Sequence, residues 1–374
     1  MAKEKQAEIP HPRENPNLYG HEEAERRFLQ EFERGLIHHA YLMTGHKGIG
    51  KATLAYRFAR FLLNQGALRT EAEAPSMSLF GDPEPTSKSS GTMQLDVEDP
   101  LFRRIAAGSH TDLLTLSPAY DAKKNVEKSI ITVDEARKIP EFLSLTPAEG
   151  QWRVVIIDAV DQLNVNAANA LLKILEEPPE NAILLLVCHS PGGILPTIKS
   201  RCRTFKLGPP DQKAFGEILN HIAPQIGSHE YAALYALSYG APGHAITLHE
   251  EDALECYEGW LKAMQPNASP ATRQQFADSA ANRKSPDAWA ALLHCWQVAM
   301  QRITVFGHDA TQTPIFRGEE ELLANIASAT PHAVRRAWVE RGNVLIAQTE
   351  TFNLDKRYSI RALIDPAQLD MMAA

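Results

Sequence analysis

Between residues 151 and 203 the pattern of apolar and polar positions is at its clearest. Val154-Val155-Ile156-Ile157 is a short, wholly apolar run that ends in Asp158, and residues 183–187 form a second such run. Short runs without alternation predict strands buried on both faces. Between them Leu171, Leu172, Ile174 and Leu175 recur at helical spacing. Asn164 is placed to cap that helix and Pro178-Pro179 to stop it. Strand, helix and strand with short links make a parallel α/β unit.

Upstream, residues 1–17 are polar and proline-marked and predict a poorly ordered arm. A charged helix is expected over Glu22–Glu33, with Ala24, Phe28 and Phe32 inward. Residues 39–44 predict a strand, and Leu54, Ala55, Phe58, Ala59 and Leu62 mark the buried face of a helix after it. Residues 64–99 are rich in Pro, Ser, Glu and Gly and predict a loop or insertion. Two more strands are expected at 113–116 and 129–132, the second followed by a helix capped by Asp134 and carrying Ala136, Ile139 and Phe142. Together these segments predict a parallel-sheet core.

Pro209-Pro210 closes that core. Residues 211 to about 249 hold two or three short helices, ending near Gly243 and His244. Beyond them Trp260, Leu261, Trp289, Leu292, Leu293, Trp296, Ala299 and Ile303 recur at helical spacing, as core positions do. The expected organisation is an α/β core over 1–208, a small helical domain over 209–249 and an all-α domain over 250–374.

Composition adds limits. With 374 residues the chain has ample length for more than one domain. A formal net charge of −8 argues against a general polyanion binder, so contact with nucleic acid needs a local patch or a partner. The four cysteines (Cys188, Cys202, Cys256, Cys295) form no CxxC pair, which argues against a zinc knuckle or a disulfide framework. No leader pattern and no apolar run of spanning length is seen, so a cytoplasmic protein without a membrane partner is expected.

Candidate chemistry begins at the first strand. It runs into Gly45-His46-Lys47-Gly48-Ile49-Gly50-Lys51-Ala52-Thr53, and a helix follows. Strand, glycine loop and helix is the context of a phosphate-binding loop. Gly45, Gly48 and Gly50 let backbone N–H groups curl around phosphates, and Lys51 reaches the β and γ phosphates. Ala52 stands where a Ser or Thr hydroxyl would bind Mg²⁺, and Thr53, one residue late, is turned about 100° away on a helix. Two readings stay open: ATP binding with weak Mg²⁺ coordination, or a loop that keeps its shape and binds nothing. Asp158 stands at a strand tip, where such sites hold Mg²⁺, but the neighbouring position for a water-activating acid is Ala159. Missing general-base help typically costs ~10²–10⁴-fold in rate, so hydrolysis by the chain's own site is not expected. Arg201, between Ser200 and Cys202, is either a finger aimed at a neighbour's γ-phosphate or half of an ion pair within its own chain. Chemistry alone favours the pair.

These residues resemble the bacterial DNA polymerase III clamp-loader subunits, within the AAA+ superfamily. The matching pieces are Gly45-x4-Gly50-Lys51, Gly108-Ser109-His110, the run from Ala167 to Pro179 (AANALLKILEEPP), and Ser200-Arg201-Cys202. They span residues 18–208. Ala52, Ala159 and the lack of cysteine in residues 64–99 make the chain more similar to the delta-prime type than to the ATPase gamma/tau type. The resemblance implies an AAA+ core, a small lid and a helical collar, with Asn353-Leu354-Asp355 matching a short collar pattern. It implies no zinc, a trans-acting Arg201, gamma/tau and delta subunits as partners, and contact with the sliding clamp and primer–template DNA through the complex. Rival readings are an active gamma/tau-like ATPase and a stand-alone nucleotide-binding module.

Overall fold

The computed structural model describes residues 10–73, 93–118, 120–121, 126–127, 130–307, 313–367 and 369. The chain divides into two compact units, Met1–Ala214 and Phe215–Ala374.

The first unit is built on a parallel sheet of β1 (Ala40–Thr44), β2 (Leu113–Leu116), β5 (Arg153–Asp158), β6 (Ala182–Cys188) and β7 (Arg203–Lys206), in the order β2-β5-β6-β1-β7. Two residue pairs, β3 (Tyr120–Asp121) and β4 (Val126–Glu127), form a separate antiparallel ladder. The wholly apolar strands serve two cores at once. Tyr41, Met43, Val154, Ile156, Ile183, Leu185 and Val187 join the core on one face, with Phe28, Leu54, Phe58 and Leu62. Those last four come from α1 (Glu22–Glu33) and α2 (Lys51–Glu73). The alternate residues Ala40, Leu42, Val155, Ile157, Leu184 and Leu186 join the core on the other face, with Leu171, Ile174 and Leu175 of α6 (Val165–Glu176). A period of two splits each strand between two layers of helices, so both faces had to be apolar.

Asn164 caps α6 as its sequence suggests, its Oδ1 accepting from the Ala167 N–H at 2.8 Å. Other expectations need correction. The expected strand at 129–132 is not part of the sheet: Ile131 makes an isolated bridge to Leu163, and residue 129 lies outside the described residues. The fifth strand is instead β7, whose Tyr41–Arg203 to Thr44–Lys206 pairing makes it an edge. Its charged ends, Arg203 and Lys206, hid it within a polar stretch. Thr132, not Asp134, is the N-cap of α4 (Val133–Ala136), and its hydroxyl and N–H both donate to Glu135. The single helix expected over Ala136, Ile139 and Phe142 is split into α4 and α5 (Lys138–Leu143). Pro140 has no N–H to return to Ala136, which removes the bond that would fuse them.

The loop expected from residue 64 starts later, because α2 continues to Glu73. Residues 74–92 of that stretch lie outside the described residues. Past it, α3 (Pro100–Ala106) starts at Asp99, which caps the Leu101 N–H.

The arm is also more ordered than its composition suggests over the residues described. Arg57 and Arg60 on α2 are buried, at 9% and 3% exposure. A buried guanidinium must find acceptors. Arg60 donates to the carbonyls of Arg13 (2.7 Å) and Asn15 (3.0 Å), and Arg57 to that of Pro16 (3.0 Å) and to Glu25.

The second unit opens within α8 (Gln212–Ile222), and its elements among the described residues are helices. It continues through α9 (Tyr231–Leu237), α10 (Pro242–Glu250), α11 (Ala253–Ala263) and α12 (Pro270–Ala281). Four more helices follow: α13 (Ala288–Val305), α14 (Glu319–Ala329), α15 (His332–Phe352) and α16 (Lys356–Ile364). α7 (Pro196–Ser200) belongs to the first unit. A small apolar cluster gathers Phe215, Leu219, Leu234 and Ile246. A larger one holds Trp260, Leu261, Leu292, Leu293, Trp296, Ala299 and Ile303. Trp289 is only partly buried against it, with the Lys356 ammonium 5.0 Å from its ring. Asn353-Leu354-Asp355 is a helix–helix corner: Asn353 takes a left-handed φ of 51° and Asp355 caps α16.

Gly342 on α15 faces Trp296 so closely that a Cβ would lie 2.3 Å from Cη2. Overpacking a fixed ring costs about 1–3 kcal/mol, more than the roughly 1 kcal/mol that alanine gains in a helix. Gly342→Ala is expected to lower the urea midpoint; a raised midpoint would show that the ring can yield.

Candidate functional site

The glycine loop leaves the carboxyl end of β1 and feeds α2. A Cβ on Gly45 would meet the Leu207 carbonyl oxygen at 2.5 Å and Ile49 Cδ1 at 2.6 Å, so only glycine fits between loop and β7 exit. Gly48 and Gly50 hold φ of 85° and 98°, a region that side chains strain. The loop therefore has the curled backbone expected of it.

Lys51 is the first residue of α2 and only 2% exposed. Its Nζ donates to the carbonyls of Gly45 (2.8 Å) and His46 (2.5 Å). Burial pushes the ammonium down to about 8, against the opposing pull of Asp158, Cys188 and Asp161. The loop glycines, Lys51 and Asp158 are thus brought together at the carboxyl edge of the sheet, as the switch-point rule expects. Ala52 and Thr53 follow on α2, both half-buried, and Ala159 is fully buried beside Asp158.

At the tips of β5 and β6 the structure adds residues to which the sequence assigned no site role. His189 Nε2 stands 3.8 Å from Asp158 Oδ1, and burial, then the charge of Lys51, push its imidazole down to about 4. The ring is therefore neutral near pH 7, and this contact is not an ion pair there. Asp161 accepts from the His189 N–H (2.9 Å) and the Ser190 N–H (3.0 Å). It ties the connection after β5 to the end of β6. No local pattern announces a bond across 28 residues.

His21 is the other residue missed. It precedes α1, is 3% exposed, and its Nε2 is 2.7 Å from the Ile49 carbonyl oxygen. An open cavity of about 450 Å³ adjoins it, lined by Gly20, His21, Arg27, Phe205 and Leu207 among others.

Arg201 lies elsewhere. It follows α7 and precedes β7, and Arg203 pairs with Tyr41 near the start of β1. The loop starts at Gly45, roughly 13 Å further up the sheet at 3.3 Å per residue. Arg201 is thus at the amino edge, opposite the loop. Its guanidinium is 2.8 Å from Glu176 Oε1 and donates to the Thr197 carbonyl at 3.1 Å. The side chain remains 36% exposed.

Among the described residues no group of three or more His, Cys, Asp or Glu is placed to hold a metal ion. No described helix is long and apolar enough to cross a membrane.

Comparison with known proteins agrees with the resemblance read from the motifs. Residues 90–211 match the family model described as DNA polymerase III, delta subunit. DNA polymerase III subunit delta-prime of Pseudomonas aeruginosa is 36% identical over 62% of this chain and 64% of its own length. The delta-prime subunit of Escherichia coli is 29% identical over 64% of this chain and 62% of its length. Subunit tau of Escherichia coli is 29% identical over 62% of this chain and 31% of its length. The matches thus span less than two thirds of these relatives. The chain is similar to bacterial DNA polymerase III subunits of the delta-prime and tau kind.

Proposed function

We propose that the chain is a delta-prime-type clamp-loader subunit that helps place a sliding clamp on primed DNA during replication. The observation that carries this reading is a shaped phosphate loop with Lys51 and Asp158 at its edge, yet with Ala52 and Ala159 in the positions of hydroxyl and acid. Gly45, Gly48, Gly50 and Lys51 would hold the phosphates of ATP, and the cavity beside His21 offers room for the rest of the nucleotide. Mg²⁺, when bound with ATP, would neutralise phosphate charge. Asp158 would face it without a hydroxyl from Ala52 to share the coordination, so the metal is held weakly. No zinc is expected.

Arg201 would serve a neighbouring ATPase subunit in trans, and its exposure at the amino edge supports that direction. Gamma/tau and delta subunits are the proposed partners, with clamp and primer–template DNA reached through the complex, in the cytoplasm. The small cluster around Phe215 supports a lid over 209–249, and the large one around Trp260 a collar over 250–374. The AAA+ core occupies 1–208.

The test is ATP binding and steady-state hydrolysis by the purified chain with Mg²⁺. Binding without turnover is the expected result. Robust turnover that Lys51→Ala abolishes would instead make this a gamma/tau-like motor.

A further inference from the structure

We propose that His21 is a positioning residue for the phosphate loop, latching the Ile49 carbonyl so that the neighbouring N–H groups stay turned toward a bound phosphate. The inference rests on the reading of the loop as a nucleotide site.

A curled loop that aims its N–H groups inward must send some carbonyls outward, and each buried one needs a donor. Ile49 lies between Gly48 and Gly50, the two positions with left-handed φ, where the backbone has the least intrinsic preference for one peptide orientation. Its side chain is buried at 3% exposure. The acceptor is a carbonyl oxygen, so at 2.7 Å the proton must sit on Nε2 of His21. Burial pushes the imidazole below its ordinary range, which keeps the ring neutral near pH 7 and avoids placing a second cation beside Lys51. The contact is tight on the other side as well: a Cβ on Gly50 would come 3.4 Å from the same Nε2.

The latch also has an anchored base. The His21 backbone carbonyl accepts from the Glu25 N–H at 3.1 Å, so the residue is fixed by the first turn of α1. The Gly20 N–H meets Glu22 at 3.0 Å. Loop shape is thereby coupled to α1, the helix whose Arg27 also lines the adjoining cavity.

Two variants of the full chain separate the latch from mere packing. His21→Leu fills the space without a donor, and His21→Gln keeps an N–H near the Nε2 position. The first readout needs no ligand: hydrogen–deuterium exchange over residues 45–51. His21→Leu is expected to speed that exchange and His21→Gln to hold it near the wild-type rate. The second readout is ATP affinity with Mg²⁺, by calorimetry. One net neutral hydrogen bond of about 1 kcal/mol corresponds to a roughly fivefold weaker Kd for His21→Leu. His21→Gln is expected to stay within about twofold of wild type on the same scale. Equal losses in both variants, or unchanged loop exchange in His21→Leu, would overturn the latch. Wild-type chain that binds no ATP, yet shows the exchange pattern, would leave the latch standing and overturn the nucleotide reading instead.

Discussion

Arg201→Ala is expected to leave the fold and the assembly intact while cutting hydrolysis at the neighbouring subunit's site by about 10³-fold or more, the usual contribution of a trans arginine. The fold should survive because the side chain is 36% exposed and its partners, Glu176 and the Thr197 carbonyl, stay open to water. An exposed pair of this kind contributes at most about 1 kcal/mol. The catalytic effect should be large because a guanidinium acts on charge that develops in the transition state, inside a site closed to water. Arg201→Lys separates charge from geometry: a point charge lacks the planar fork and should recover little. The measurement is DNA- and clamp-stimulated ATPase of a complex reconstituted with gamma/tau and delta subunits. Unchanged stimulated hydrolysis, with the variant shown to be in the complex, would remove Arg201 from the mechanism.

The second large effect concerns Lys51. With its ammonium pushed down to about 8, the free chain loses the positive charge within the range of a bench titration. ATP affinity should then be highest below pH 8 and fall roughly tenfold between pH 7 and pH 9, provided bound phosphate restores the proton. Lys51→Met should weaken binding at pH 7 by about 10- to 100-fold, the loss of a charge-assisted contact, and should flatten the pH dependence. Stability moves the other way. Lysine ordinarily titrates near 10.5, so below about 8 it is charged in both folded and unfolded chain and the full cost of burying the charge is present. As pH rises from about 8 toward 10.5, the folded chain sheds its proton first and that cost disappears. Lys51→Met is accordingly expected to raise the melting temperature at pH 7, by an advantage that shrinks toward pH 10. Affinity that does not change from pH 7 to 9 would mean that Lys51 does not meet the phosphates.

Much of the first unit could be read directly. Val154 to Ile157 and the run after Ala182 are apolar without interruption because both faces of their strands are covered, and Asn164 and the two prolines punctuate α6. Gly45, Gly48, Gly50 and Lys51 were legible because the whole loop is local in sequence. What escaped was set by distance. His21 reaches Ile49 across 28 residues, Asp161 reaches His189 across the same span, and Arg60 finds its acceptors 45 to 48 residues upstream. Nothing near any of them in the chain marks the partner. β7 escaped for another reason: an edge strand needs one apolar residue facing each core at most, and Phe205 between Thr204 and Lys206 gives too little alternation to recognise.

The register of the sheet has a further meaning. Parallel strands give the first unit a direction, with the glycine loop at one end and Arg201 at the other. Two copies related by a two-fold axis meet through the same patch, so if one chain's arginine reached the other's loop, its own loop would be reached in return. A head-to-tail contact, in which unlike surfaces meet, joins one chain's arginine end to the next chain's loop end and leaves one arginine and one loop unmatched. Such contacts build rows with two different termini. If, as proposed, this chain's arginine works in trans while its own loop does not fire, it would have a use at one of those termini and none at the other.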